Sequence, residues 1–352
     1  MTDEPPKPHV RRPRYRGTHP RAFNEKYKEQ NPERYGAELE KVLASGKTPA
    51  GMHRPIMVRE IVEVLAPAPG DFAVDATLGY GGHAMALLRA VLPGGRLLGL
   101  DVDPIELPKT ESRLRAHDGA DRALIVRRSN FAGLVRVLDE EGLPAADVLL
   151  ADLGLSSMQI DDPARGFTFK REGPLDLRMN PHRGQPASRL LASLDAARLA
   201  RMLETNADQP DAGPLAEALV ERQRLAPIET TTALAAAVRD ALGDGPDRRN
   251  KDEHLDVTLR RVFQALRIEV NDEFGALDTF LRHLPACVKS GGRIAILTFH
   301  SGEDRRVKQA FKAGAAAGIY DRIADEVIRA SPEERRANPR ATPAKLRWAV
   351  RS

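Results

Sequence analysis

Between residues 56 and 160 short apolar runs alternate with amphipathic stretches. The runs FAVD (72–75), RLLGLD (96–101), ALIVR (123–127) and DVLLAD (147–152) have the length and the branched aliphatic content of buried strands. Helical periodicity separates them, most clearly over His83–Val91 and Phe131–Glu141. A hydrophobic segment from Ile56 to Leu65 precedes the first strand, across a turn at Pro67, Pro69 and Gly70. Strand and helix in strict alternation predict a βαβαβ succession and a parallel sheet.

After Asp152 the strand pattern lapses until about residue 293. Leu190, Leu191, Leu194, Leu199, Met202 and Leu203, then Leu215 and Leu219, then Leu234, Val238 and Leu242 recur at helical spacing, which predicts a helical insert. Thr231 is the expected N-cap of its third helix and Gly243 the expected stop, followed by a polar loop, GDGPDRRNKDEH. One amphipathic helix from about Thr258 through VFQALRIEVNDEFGALDTFL and the strand RIAILTF (293–299) then complete the sheet. The expected organisation is an N-terminal extension (1–50), an α/β domain in two parts (51–160 and 258–352) and a helical insertion between them (161–257).

Composition adds constraints. With 352 residues and 41% hydrophobic content the chain can bury a sizeable core. It has no run of about 18 uncharged apolar residues, and its N-terminus is rich in proline and arginine where a secretory leader needs an apolar stretch, so a soluble, cytoplasmic protein without membrane contact is expected. Cys287, the single cysteine, has no partner for an internal disulfide and reads as a small core residue. Residues 1–50 carry 11 Lys/Arg against 7 Asp/Glu, which accounts for the whole formal charge of +4. Basic residues also cluster over 165–189 and 335–351, a pattern that suits a polyanion and equally a solvated face.

Ligands of an open parallel sheet bind outside the carboxyl ends of its strands. The unusual polar groups fall there: Asp75 and the loop Gly79-Tyr80-Gly81-Gly82-His83 after the first strand, Asp101 and Asp103 after the second, Asn130 and Phe131 after the third, Asp152 to Gln159 after the fourth, and His300 to Asp304 after the fifth. A glycine loop opening a helix presents N–H groups to an anionic moiety, and Asp101 is placed to accept hydrogen bonds from ribose hydroxyls. GYGGHA also satisfies the dinucleotide pattern GxGxxG/A, so loop and Asp101 by themselves leave S-adenosylmethionine and NAD open. The segment ADLGLSSMQIDDPARGFTFKREGPLDLRM brings Ser156, Ser157 and Gln159 together without the Cys/His of a metal site or a base for a serine nucleophile, so no metal is expected. Its Arg165, Phe167, Phe169 and Arg178 have the composition that clamps phosphates and stacks a base, or else that of a core with arginines around it.

The stretches HRPIMVREIVEVL, DATLGYGGHA, GLDVDP, SNFAGL, DLGLSSMQIDDPARGFTFKREGPLDLRMNP, FQALRIEVNDE, GGRIAILTFHSGEDRRVK and NPRATPAKLR, in this order, resemble the small-subunit ribosomal RNA cytosine-N4 methyltransferases. The resemblance implies a class I, Rossmann-like methyltransferase domain with a helical substrate-binding insertion and S-adenosyl-L-methionine as cofactor. Small-subunit ribosomal RNA, free or within the assembled subunit, is the implied partner, and a homodimer is left open. Cofactor contacts are implied for Gly81, Gly82, His83, Asp101, Phe131, Asp152 and Gln159. Asp152 is the expected catalytic residue, with His300 as substrate or proton-relay residue, and Ser156, Ser157, Arg165, Phe167, Phe169 and Arg178 are expected on the RNA side. The chain departs from the family pattern at Met158, where SSPQ is usual, at Gly302, where HSLED is usual, and at Thr342-Pro343, where Arg-Ser is usual.

Overall fold

The computed structural model describes residues 55–243 and 248–352; the expected basic extension lies outside them. Helix α1 (Val58–Leu65) leads into β1 (Phe72–Asp75), α2 (Gly82–Val91), β2 (Arg96–Asp101), α3 (Leu107–Arg115), the short α4 (Ala120–Ala123), β3 (Leu124–Arg128), α5 (Leu134–Glu140) and β4 (Ala146–Asp152). A one-turn helix α6 (Ser157–Asp161) opens the long departure from the sheet. It is followed by α7 (Ala187–Ser193), α8 (Ala196–Ala207), α9 (Ala212–Leu225), α10 (Thr231–Leu242) and α11 (Arg248–Asn271). The chain returns through α12 (Glu273–Cys287), β5 (Val288–Thr298), α13 (Ser301–Ala316), β6 (Tyr320–Ile323), α14 (Pro332–Ala337) and β7 (Lys345–Arg351).

The strands form one sheet in the order β3-β2-β1-β4-β5-β7-β6. β1 is central and buried at all four positions, which is why FAVD reads as an unbroken apolar run. Successive residues of a strand point to opposite faces, and the core divides accordingly. Ala73, Leu97, Val148 and Leu297 pack beneath α1 and α2 (Ile61, Leu65, Leu87, Leu88). Val74, Leu98, Leu149 and Ile296 pack against α5, α12 and α13 (Leu134, Phe280, Leu284, Phe311). The buried members of a third apolar cluster all fall between Phe167 and Leu266, among them Leu203, Leu219 and Leu234.

Four sequence expectations need correction. The sheet is not wholly parallel, because β7 pairs antiparallel with both β5 and β6; Lys345, Arg347 and Arg351 interrupt its apolar pattern and hide it. The N-cap of α10 is Thr230, whose side chain accepts the Ala233 N–H, and Thr231 is the first helical residue. The single helix expected from Thr258 is broken at Asp272, whose φ of 48° ends α11 and starts α12. Residues 248–254, expected as loop, are helical.

Candidate active site

The carboxyl ends of β1, β2 and β4 are tied together by short polar contacts. The Asp152 N–H donates to Thr77 Oγ1 (2.6 Å) and the Thr77 N–H to Asp75 Oδ1 (3.1 Å), joining β4 to β1. Asp101, at the end of β2, accepts the Gly79 N–H on Oδ2 (2.7 Å) and the Asp103 N–H on Oδ1 (2.8 Å). The glycine loop is thereby pinned to β2, and α3 braces it from outside. Thr110 Oγ1 donates to the Gly79 carbonyl (2.6 Å), and the Arg113 guanidinium lies 3.8 Å from the Tyr80 ring centroid. Gly81 is required here: its φ is +84°, and a Cβ would sit 2.9 Å from Thr110 Cγ2. It caps α2, whose first N–H groups have no carbonyl within the helix to reach, leaving them for an anionic group.

His83 is buried in the first turn of α2. Its Nε2 lies 2.8 Å from the Ile56 carbonyl oxygen and its Nδ1 3.4 Å from Asp152 Oδ2. Both ring nitrogens thus face acceptors, an arrangement satisfied only by the doubly protonated ring. Burial disfavours that charge, but the Asp152 and Asp75 carboxylates outweigh it and hold the ring above the usual imidazole range. Burial likewise pushes Asp75 up to about 6, against the pull of His83. Asp101 is also pushed up to about 6 by burial, against its two N–H donors. Asp152 Oδ1 is buried with no hydrogen-bond partner. An unpartnered acceptor of this kind is costly unless a ligand donates to it. Phe131, on the single 3-10 turn after β3, lies edge-on to Phe280 at 5.2 Å.

The Asp152–Gln159 segment leaves β4 into α6 through a capping box. Ser156 Oγ accepts the Gln159 N–H, and Gln159 Oε1 accepts the Ser156 N–H. Gln159 Nε2 donates to Asp103 Oδ2 (2.8 Å), so its amide is largely committed to holding the loop. Ser157 is partly exposed at the start of α6.

The residues expected on the RNA side divide between buried and partly buried positions. Arg165 is 7% exposed; its Nη1 donates to Asp103 Oδ2 (2.7 Å), and its Nη2 to the carbonyls of Arg178 (3.2 Å) and Met179 (2.8 Å). Phe167 belongs to the third apolar cluster, and Phe169 packs on Phe263 at 5.5 Å. Arg178 is gripped bidentately by Asp176 (2.8 and 2.6 Å). Arg165 and Phe167 are therefore interior residues, because the chain from Pro163 to Met179 folds back on itself and turns them toward the protein.

His300 caps α13: its Nδ1 accepts the Glu303 N–H, and its Nε2 lies 3.2 Å from Glu303 Oε1. Burial opposes ionisation of Glu303, yet His300, Arg267 and the Phe299 N–H hold it below the usual carboxylate range. Donor atoms of Glu273, His300 and Glu303 lie within 4.8 Å of one another, but Arg267 grips both Glu273 oxygens (2.7 and 2.8 Å), making the group a charge-compensated brace. At Gly302, where a Cβ would fall 2.5 Å from Phe274 Cζ, the Phe274 ring fills the space that a leucine would take. Sequence reasoning missed Thr77, Asn271 and the load carried by Asp103. Only Asp103 left a signal, as an acid two residues beyond Asp101.

Sheet order, glycine loop and acidic rim make this a Rossmann-like nucleoside-binding domain, and the family it matches makes it an S-adenosylmethionine-dependent methyltransferase. The model of the MraW methylase family matches residues 50–352, and the chain belongs to that family. It is 49% identical over 345 residues to "Ribosomal RNA small subunit methyltransferase H 1" of Lachnoclostridium phytofermentans (98% of this chain, 93% of that protein). It is 48% identical over 343 residues to "Ribosomal RNA small subunit methyltransferase H 2" of Alkaliphilus metalliredigens (97% of each). No helix among the described residues is long and apolar enough to cross a membrane.

Proposed function

We propose that this chain transfers the methyl group of S-adenosylmethionine to the exocyclic N4 of a cytidine in small-subunit (16S) ribosomal RNA. The observation that carries the reading is the convergence of the glycine loop, Asp101 and an unpartnered Asp152 oxygen on one rim of a chain of this family. The residues present fit the cofactor. The first N–H groups of α2, with the His83 imidazolium behind them, suit the methionyl carboxylate; Asp101 has acceptor capacity left for ribose hydroxyls; Phe131 offers an apolar edge for adenine.

Bound S-adenosylmethionine supplies an electrophilic sulfonium methyl, so the protein has no covalent intermediate to form. Its work is alignment, which can contribute about 7–11 kcal/mol of a barrier, far more than one hydrogen bond. Asp152 Oδ1 accepts a hydrogen of the amine as N4 pyramidalises, while the His83 Nδ1–H fixes the other oxygen of the same carboxylate. Once the methyl carbon has passed from sulfur to nitrogen, the proton of the cationic N4 would pass by way of Asp152 Oδ1 to water. Ser156 and Ser157, the hydroxyls proposed to flank this point, lie on the loop that follows Asp152, which the capping box holds. A paired cytidine reaches the rim only when splayed out of its helix, and the helical segment after Asp152 is the module that holds its neighbours. The reading places the protein in the cytoplasm, acting on the free RNA or on the assembled subunit.

The test is tritiated methyl transfer to ribosomal RNA and to small subunits from a strain lacking the activity, followed by nucleoside analysis. Label in N4-methylcytidine is expected. Label in another nucleoside, or none on either substrate, overturns the reading.

A further inference from the structure

Asp103 is 1% exposed and uses both carboxylate oxygens fully. Oδ1 accepts the N–H groups of Ile105 (2.9 Å) and Glu106 (3.4 Å), and Oδ2 accepts Gln159 Nε2 and Arg165 Nη1. Its own N–H donates to Asp101, which pins Gly79. From the other end of the same guanidinium, Arg165 holds the carbonyls of Arg178 and Met179. Asn271 then clamps this stretch from α11, donating to the Leu177 carbonyl (2.8 Å) and accepting the Met179 N–H (2.7 Å). An unbroken polar chain thus runs from the glycine loop, through Asp101, Asp103 and Arg165, to residues 176–179.

That end of the chain is strained. Leu177 is 1% exposed and has a φ of 62°, a region that a branched side chain enters only where the surroundings force it. Gly166 presses against the same stretch, where a Cβ would lie 2.2 Å from the Pro174 carbonyl oxygen. Relaxing Leu177 to an extended conformation would release the carbonyls that Arg165 and Asn271 grip. A relaxed arrangement of residues 176–179 would lack those contacts, and the buried Arg165–Asp103 pair favours the arrangement described.

We propose that Arg165 is a positioning residue that couples the cofactor rim to the Asp176–Met179 segment, so that cofactor bound at Asp101 stabilises the arrangement of that segment that receives RNA. The proposal rests on the reading of function given above. Lysine at this position keeps the charge but has no fork with which to hold Asp103 and two carbonyls together, so Arg165→Lys breaks the coupling. By linkage the effect is reciprocal: RNA tightens cofactor binding by the same factor.

The experiment measures S-adenosylhomocysteine affinity by calorimetry, without and with saturating small-subunit ribosomal RNA. In the natural sequence RNA should tighten binding about 5-fold or more. In Arg165→Lys and in Asn271→Ser that ratio should fall toward one, whereas a residue that only supports the fold would change affinities and leave the ratio alone. A measurement on the unaltered protein covers variants that do not fold: S-adenosylhomocysteine should slow amide hydrogen exchange at Leu177 and Met179 by a similar factor. An unchanged ratio in folded variants, or exchange at both amides indifferent to the ligand, overturns the proposal. Binding of both ligands without coupling sinks it alone, while a protein that binds neither sinks the reading of function along with it.

Discussion

Asp101 is subject to two opposed demands. To accept hydrogen bonds from ribose hydroxyls it must be ionised, yet its burial pushes the pKa up to about 6. The sign follows: at pH 5 most of the carboxyl is protonated, at pH 7 most is ionised, and affinity rises between them. S-adenosylhomocysteine should bind roughly tenfold more tightly at pH 7 than at pH 5, the ratio of ionised fractions for a group titrating near 6. Calorimetry across that range checks it, and Asp101→Asn should flatten the profile while leaving RNA binding nearly intact. Phe167 makes a different case, since the sequence left it between a stacking platform and a core residue and the structure buries it. Phe167→Ala should lower unfolding free energy by about 3–5 kcal/mol in a denaturant titration. A substitution that weakened RNA binding at unchanged stability would return Phe167 to the RNA surface. Residue types at the strand ends were legible because a parallel sheet brings all of its carboxyl ends to one rim. The direction of Arg165 was not, because its partner Asp103 lies 62 positions away and composition does not distinguish a buried guanidinium from a solvated one.

At the scale of elements, the strands were legible where both faces are covered: FAVD and RLLGLD coincide with β1 and β2 to the residue. β7 was illegible for the opposite reason, since its arginines reach partners at the sheet margin, Arg347 to Asp304 (2.6 Å) and Arg351 to the Ile319 carbonyl (2.9 Å), and so break the apolar run. The helix break at Asp272 leaves no glycine or proline to announce it. The left-handed conformation there is one that aspartate tolerates, and the bidentate Arg267–Glu273 pair stabilises it by spanning the break. Capping was legible to within one position. Thr230, the residue before the expected cap, satisfies the first turn of α10, and Thr231 Oγ1 instead donates to the Arg171 carbonyl (2.7 Å). Thr230→Ala should therefore cost about 1 kcal/mol of stability, seen as a lowered denaturation midpoint, with cofactor affinity unaltered. Thr231→Ala acts by another route, releasing the backbone that leads into residues 173–179.

For the whole molecule, the excess charge lies outside the part of the chain whose fold is described. Residues 51–352 carry equal numbers of acidic and basic side chains, while residues 1–50 hold the entire excess of +4. In the described part many arginines are spent internally: Arg165 on Asp103, Arg178 on Asp176, Arg267 on Glu273, Arg347 on Asp304. A guanidinium bound in that way holds the fold and contributes little to the attraction of a distant polyanion. Long-range attraction for RNA must then depend disproportionately on the first fifty residues, and attraction to phosphates has a signature in salt. If the four excess charges each meet a phosphate of single-stranded RNA, deleting residues 1–50 should make the slope of log affinity against log salt shallower by about 3, at some 0.7 per contact. The measurement is RNA affinity of the two proteins over a salt series, with S-adenosylhomocysteine affinity expected to stay the same in both. Parallel salt slopes would mean that the internally paired arginines exchange partners when RNA arrives, and that the neutral body of the protein, rather than its basic end, meets the phosphates.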